Sequence, residues 1–217
     1  MAAAFTGFPA EAFEFFKNLQ MNNNREWFLA HKDVYERACR EPMKALTSAL
    51  EPKFGASKIS RINRDMRFSR DRAPYKTHIA AGIGGYYISL SVEGVYVAAG
   101  IYRPEPDTLK RLRAAIDHNG SGRELTSIVS ALRRKGYQVD SHETIASAPK
   151  GYAADHPRID LLRMKDLFAG KLLAPSPSLS TGKAFDRITA AISELQPFKR
   201  WVERHVQSKK WKVESGK

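Results

Sequence analysis

Gly82-Ile-Gly-Gly-Tyr-Tyr-Ile-Ser-Leu-Ser-Val92, followed by Glu93-Gly94 and then Val95-Tyr-Val-Ala-Ala-Gly-Ile-Tyr102, is the stretch that decides the fold. Branched and aromatic residues dominate both arms, and Glu93-Gly94 between them predicts a hairpin turn. In the first arm Tyr86, Ile88, Leu90 and Val92 alternate with Tyr87, Ser89 and Ser91. That period of two predicts one buried face, with Tyr87 and two serines on the other. Gly84-Gly85 argues for a bulge or for close approach of another group to the backbone. The same run lacks the last glycine of a dinucleotide-binding fingerprint, and the chain contains no P-loop.

Helical periodicity lies on either side. Upstream, Pro9 suits a first helical position, and Ala12, Phe13, Phe16 and Leu19 recur at helical spacing. Asn23 with Glu26 has the form of a capping box and predicts a second helix on Trp27, Phe28, His31, Val34, Tyr35 and Ala38. Pro42 interrupts or restarts it, and Met43, Leu46 and Leu50 carry it to Pro52. Downstream, a helix on Leu109, Leu112 and Ile116 is expected to stop at Asn119-Gly120. A second capping box, Ser121 with Glu124, is expected to open the next helix, on Leu125, Val129 and Leu132. Residues 137–141 read as a strand, 147–158 as a long loop, and 182–206 as a final helix divided by Pro197. Helices at both ends around a central antiparallel β-sheet predict an α+β fold. The whole chain, 1–217, reads as a single domain with its core over about 8–206 and a basic tail at 207–217.

Composition limits the partners. The chain has 217 residues, 42% hydrophobic and 27% charged, which is ordinary for a globular protein able to bury a core. Thirty-six Lys and Arg against 23 Asp and Glu give a formal charge of +13. That excess favours partners of negative sign. Cys39 is the one cysteine, so neither an internal disulfide nor a cysteine-based zinc site can form, which fits a reducing compartment. No signal peptide or transmembrane run is read, so a cytoplasmic location and no membrane partner are expected.

The charge concentrates in residues 58–78, where Lys58, Arg61, Arg64, Arg67, Arg70, Arg72 and Lys76 stand against Asp65 and Asp71, with His78 at the end. Ile59, Ile62, Met66 and Phe68 read as inward anchors, and Pro74 forbids a helix running through. A strand at 58–63 followed by an ordered loop is expected.

These motifs resemble a known family. Asn23-Asn-Arg-Glu-Trp-Phe28, Arg61-Ile-Asn-Arg-Asp-Met-Arg-Phe-Ser-Arg-Asp-Arg-Ala-Pro-Tyr-Lys-Thr-His78, Ala99-Gly-Ile-Tyr-Arg-Pro104 and Pro149-Lys-Gly-Tyr152 with Asp155-His-Pro-Arg158 resemble the family filed as domain of unknown function 2461, a conserved hypothetical protein family. The resemblance runs from about Phe8 to Val206. It implies a single α+β domain and brings no reaction, cofactor or catalytic residue.

The residues themselves suggest chemistry. Guanidinium forks pair with phosphate or carboxylate in two-point geometry, which marks Arg61, Arg64, Arg67, Arg70, Arg103 and Arg158 as ligand-binding candidates. Lys76 adds a point charge. Tyr75, Tyr87 and Tyr102 offer stacking or hydroxyl donors. His78 is a candidate general acid or base, with Asp65 to orient it. His156, beside Asp155, is a further ligand-binding candidate, although a helix start at Asp155 and Pro157 explains that pair as well. No metal or cofactor is expected. Three readings remain open: a pocket for a small anion, with hydrolase or transferase chemistry; a nucleic-acid-binding module using the wider basic surface, Arg111, Arg113 and Arg133–Lys135 included; and a structural network of Arg–Asp pairs with no ligand.

Overall fold

The computed structural model describes residues 4–65 and 73–207. It is a mixed α+β fold with a six-stranded sheet, hydrogen-bonded in the order β1-β2-β3-β4-β6-β5. The strands are β1 (Ser57–Ile59), β2 (His78–Ile83), β3 (Tyr86–Ser91), β4 (Gly94–Ile101), β5 (Gln138–Asp140) and β6 (Leu167–Leu173). The chain divides into two compact units, 1–97 with 172–192 and 98–171 with 193–217.

The first unit opens with α1 (Ala10–Met21), which buries Ala12, Phe15, Phe16 and Leu19. Next comes α2 (Arg25–Ala30), whose cap is Asn24, not the expected Asn23. The Asn24 Oδ1 accepts from Trp27 N–H at 2.9 Å. Asn23 is engaged elsewhere in the fold. After α3 (Lys32–Val34) comes a π-helical turn, Tyr35–Arg40, leading straight into α4 (Glu41–Phe54). The wider turn has a cause in the sequence. Pro42 has no N–H and its ring would meet the carbonyl four residues back, so an ordinary α-turn cannot be built across it. The π-turn spaces the bonds by five, as in Glu41 N–H to Glu36 O.

Behind α4 lie Ile79, Ala81 and Ile83 of β2, with Tyr86, Ile88 and Leu90 of β3, all buried. The Phe54 ring meets Tyr86 edge-on at 5.8 Å. β2 and β3 pair antiparallel from His78 opposite Ser91 to Ile83 opposite Tyr86. The run read as one strand from residue 82 is therefore the end of one strand, a turn, and a second strand. Gly84 and Gly85 form that turn at φ 50° and 85°. A Cβ on Gly84 would overlap the Phe54 carbonyl oxygen. The glycine pair supplies both a left-handed turn and a close approach.

In the second unit, α5 (Pro106–Asp117) and α6 (Asn119–Arg134) are separated by His118 alone. Asn119-Gly120 begins a helix instead of ending one, and Ser121 is not its cap. Ser121 lies inside α6, buried, and its hydroxyl donates to Ala115 O at 2.7 Å. That carbonyl belongs to the open last turn of α5, where no intrahelical donor remains. Trp201 Nε1–H donates to Ser121 O at 2.9 Å, seating the last helix, α8 (Lys183–His205), on the same residue. α8 is continuous through Pro197 and is not divided by it. Between α6 and α8 lies the short α7 (Ile159–Leu162). β6 has no counterpart in the sequence reading. Ala169, Gly170 and Lys171 are poor strand formers, and the strand is set by pairing, with Val139 opposite Ala169.

Candidate functional site

In the first unit the basic motif is built as a ribbon beside the start of β2. Residues 57–59 pair with 81–83, and Ser60 N–H reaches Ala80 O at 2.8 Å. Further along, Asn63 pairs with Tyr75 across an antiparallel bridge. The β2 side carries two more residues than the edge side between those pairings, which is a bulge, and it includes Lys76 to Ile79. Bulges re-aim side chains. Two further bonds tie the flanks together: Arg64 N–H to Pro74 O and Lys76 N–H to Ile62 O, both 2.9 Å. Asn23 locks the ribbon to α2 by donating Nδ2–H to Tyr75 O and accepting from Tyr75 N–H.

This scaffold gathers Arg61, Arg64, Lys76 and His78. The Lys76 ammonium donates to Arg61 O at 3.0 Å. Partial burial, then the Arg61 charge, hold its pKa below the usual lysine value. His78, first residue of β2, is pushed down by burial, then by Lys76 and Arg64. Burial is thus the larger cause at both Lys76 and His78, and the neighbouring charges add to it. Asp65 is exposed at the ribbon's end.

Other sequence candidates stand differently. Arg67 and Arg70 lie outside the described residues. Tyr75 is in the core, its ring stacked on Phe28 at 4.0 Å. Tyr87 is 40% exposed on the sheet face opposite Gly82, which is itself opposite Lys58. His31, expected on the apolar side of the second helix, is half-buried and stacked on Trp27 at 4.1 Å. A surface groove of about 610 Å³, lined by Thr6, Arg37, Lys44, Thr47 and Ser57 among others, holds none of the candidates.

His156 and Arg158 belong to the second unit, where they close the end of α5. The Arg158 guanidinium donates to Ile116 O at 2.6 Å and Asp117 O at 2.7 Å. His156 Nε2 lies 3.2 Å from the Asp117 carboxylate. A guanidinium at a helix C-terminus satisfies orphan carbonyls and complements the dipole. Tyr102 and Arg103 follow β4 in that unit. Tyr102 is 61% exposed, and Arg103 lies over its ring at 5.2 Å.

Sequence reasoning missed His142 and Asp166. The His142 Nδ1 lies 2.9 Å from the Asp166 carboxylate, and the Tyr102 ring meets the imidazole edge-on at 4.9 Å. The two residues are 24 positions apart, one after β5 and one before β6, with no motif spacing to connect them. Only the pairing of those strands brings them together. Among the described residues no three His, Cys, Asp or Glu side chains gather as a metal site. No described helix is long and apolar enough to cross a membrane.

The ribbon, the Asn23 clamp and the α5 closure come from the stretches that carry the family resemblance, and a conserved hypothetical protein family, DUF2461, matches residues 11–201. The chain belongs to the DUF2461 family. No curated protein matches it. Among solved structures, this DUF2461 chain is similar to a conserved hypothetical protein from Pyrococcus furiosus, at 10% identity and a TM-score of 0.37, over 73% of this chain and 89% of that one.

Proposed function

We propose that this DUF2461 protein binds a small phosphate- or carboxylate-bearing ligand at Arg61, Arg64, Lys76 and His78, as the recognition step of a hydrolase or transferase. The observation that carries the reading is the paired ribbon. Backbone bonds on both flanks, and the Asn23 clamp, hold four basic groups near one another before any ligand arrives. Preorganisation of this kind lowers the ordering cost of binding. The nucleic-acid reading draws less support, because Arg111 and Arg113 of α5 are anchored to the Val206 and Leu162 carbonyls.

The test is a thermal-shift series with phosphate, pyrophosphate, nucleotides, sugar phosphates and short nucleic acids, each at low and high salt. A small anion that stabilises the protein at high salt, and fails to do so for Lys76→Met, is the expected result. Stabilisation by polymers alone, lost at high salt, overturns the pocket in favour of a nucleic-acid surface.

A further inference from the structure

The second unit contains a histidine–carboxylate pair outside the basic ribbon. Asp166 is 2% exposed, and both of its carboxylate oxygens have partners. Its Oδ1 accepts from Ser141 Oγ–H at 2.7 Å and from His142 N–H at 2.8 Å. Its Oδ2 faces His142 Nδ1 at 2.9 Å. Burial pushes the Asp166 carboxyl up, but the bonds from Ser141 and His142 outweigh it and leave it below the usual range. It is an anion in the fold, so the proton between the two groups belongs to Nδ1. The Nε2 lone pair is then the free end of the ring. The His142 side chain is 55% exposed, between the Tyr102 and Phe168 rings, at 4.9 and 4.6 Å.

A structural turn needs only part of this. Bonds from Ser141 and the His142 backbone would suffice to fold residues 141–143, with Lys165 paired to Glu143 at 2.7 Å alongside. The ring bond is additional, and it fixes one tautomer with its basic nitrogen outward. A second feature points to the same place. Arg103 has φ 44°, the single positive value at a non-glycine among the described residues. Such backbone strain gathers where a side chain must be aimed. Arg103 lies over the very tyrosine ring that touches His142. Among the described residues its guanidinium has no carboxylate partner, so its fork can receive an anion in two-point geometry.

We propose that His142, oriented by Asp166, is the proton-transferring residue of a phosphoester-hydrolysing site whose phosphate is held by Arg103 and whose alcohol group rests on Tyr102. Water attacks phosphorus and gives its proton to His142 Nε2. The bond from phosphorus to the alcohol oxygen breaks on the opposite side, in line with the attacking oxygen, so the alcohol oxygen takes its proton from solvent while Nε2–H returns its own to solvent. One water is consumed, and the alcohol and the phosphate are released. The proton on Nδ1 stays there throughout, hydrogen-bonded to the Asp166 carboxylate, which stabilises the imidazolium while Nε2 carries the second proton. His142 is the catalytic residue, and Asp166 is a positioning residue.

The probes are inorganic phosphate, p-nitrophenyl phosphate and bis(p-nitrophenyl) phosphate, used with the full chain. Phosphate should shift the His142 ring resonances saturably and raise the pH at which they titrate. Arg103→Ala should abolish both effects, while Lys76→Met leaves them intact, which separates this site from the ribbon. One of the aryl esters should turn over. His142→Gln should lower that rate by about 10²–10⁴-fold, and Asp166→Asn should lower it by up to about 10⁴-fold with a displaced pH profile. Melting curves establish that each variant is folded. If Asp166→Asn does not fold, the His142→Gln and Arg103→Ala results decide alone. The absence of a saturable shift overturns the site. A shift without turnover, or turnover unchanged in His142→Gln, overturns the catalytic role.

Discussion

Asn23 and Tyr75, 52 positions apart, are joined by two hydrogen bonds: the Asn23 amide nitrogen gives one to the Tyr75 carbonyl, and its oxygen takes one from the Tyr75 N–H. A carboxamide can do both at once, and few side chains can. The clamp fixes where the basic ribbon begins. Asn23→Ala should lower stability by about 1–3 kcal/mol, because two part-buried backbone groups lose their partners. Asn23→Asp should also destabilise, since a carboxylate has no hydrogen to give Tyr75 O. Urea unfolding of the three proteins measures both. Retained stability in Asn23→Asp would show that the carbonyl finds another donor.

The crowding of cations predicts a titration. His78 is held down by burial first and then by Lys76 and Arg64. Removing a neighbouring charge should let it rise, so Lys76→Met should raise the His78 value in a proton NMR titration. The sign for stability follows. The folded value lies below the unfolded one near 6.5, so the unfolded chain takes up the proton first. The contribution is complete above about 6.5 and is lost as pH falls through the folded value. Lys76→Met should narrow that window. An unchanged His78 titration would place the lysine charge elsewhere.

Local patterns in the sequence carried much of this architecture and little of the pairing. The α+β class was legible from alternation at Tyr86–Ser91 and from the periodic faces of α1 and α8. His78, the end of the basic stretch, is the first residue of β2. Caps were misread where a side chain bonds outside the helix it was expected to open. Asn23 reaches Tyr75, and Ser121 reaches Ala115, so the box pattern at each pointed to the wrong bond. β6 and the His142–Asp166 pair were invisible for one common reason. Both exist only through strand pairing, and Ala-Gly-Lys carries no strand preference of its own.

Cys39 should be silent. It is fully buried, and burial pushes its thiol up, so almost none is thiolate at neutral pH. Native protein should leave a disulfide reagent such as Ellman's unconsumed over the time in which denatured protein reacts fully. Fast reaction of the native chain would mean that the π-turn opens readily.

Gly84→Ala should be among the most damaging single changes. The position needs φ 50°, and the added methyl would meet the Phe54 carbonyl. A loss of about 3 kcal/mol or more in thermal or urea unfolding is expected. Gly82→Ala nearby is the control. Its Cβ would find open space apart from the Tyr86 carbonyl at 3.9 Å, so the change should be mild.

Three arginines of the second unit, Arg111, Arg113 and Arg158, hold carbonyl oxygens with their guanidinium groups. Each still counts toward the formal charge, but part of its guanidinium is already engaged. Field and grip are thus different quantities in this molecule. The field, set by every charge, governs how fast a polyanion arrives and weakens as salt screens it. The grip, set by open forks alone, governs how long it stays. A chain that anchors its arginines on its own backbone can draw anions in quickly and release most of them at once, keeping only those that reach a place where a fork is open.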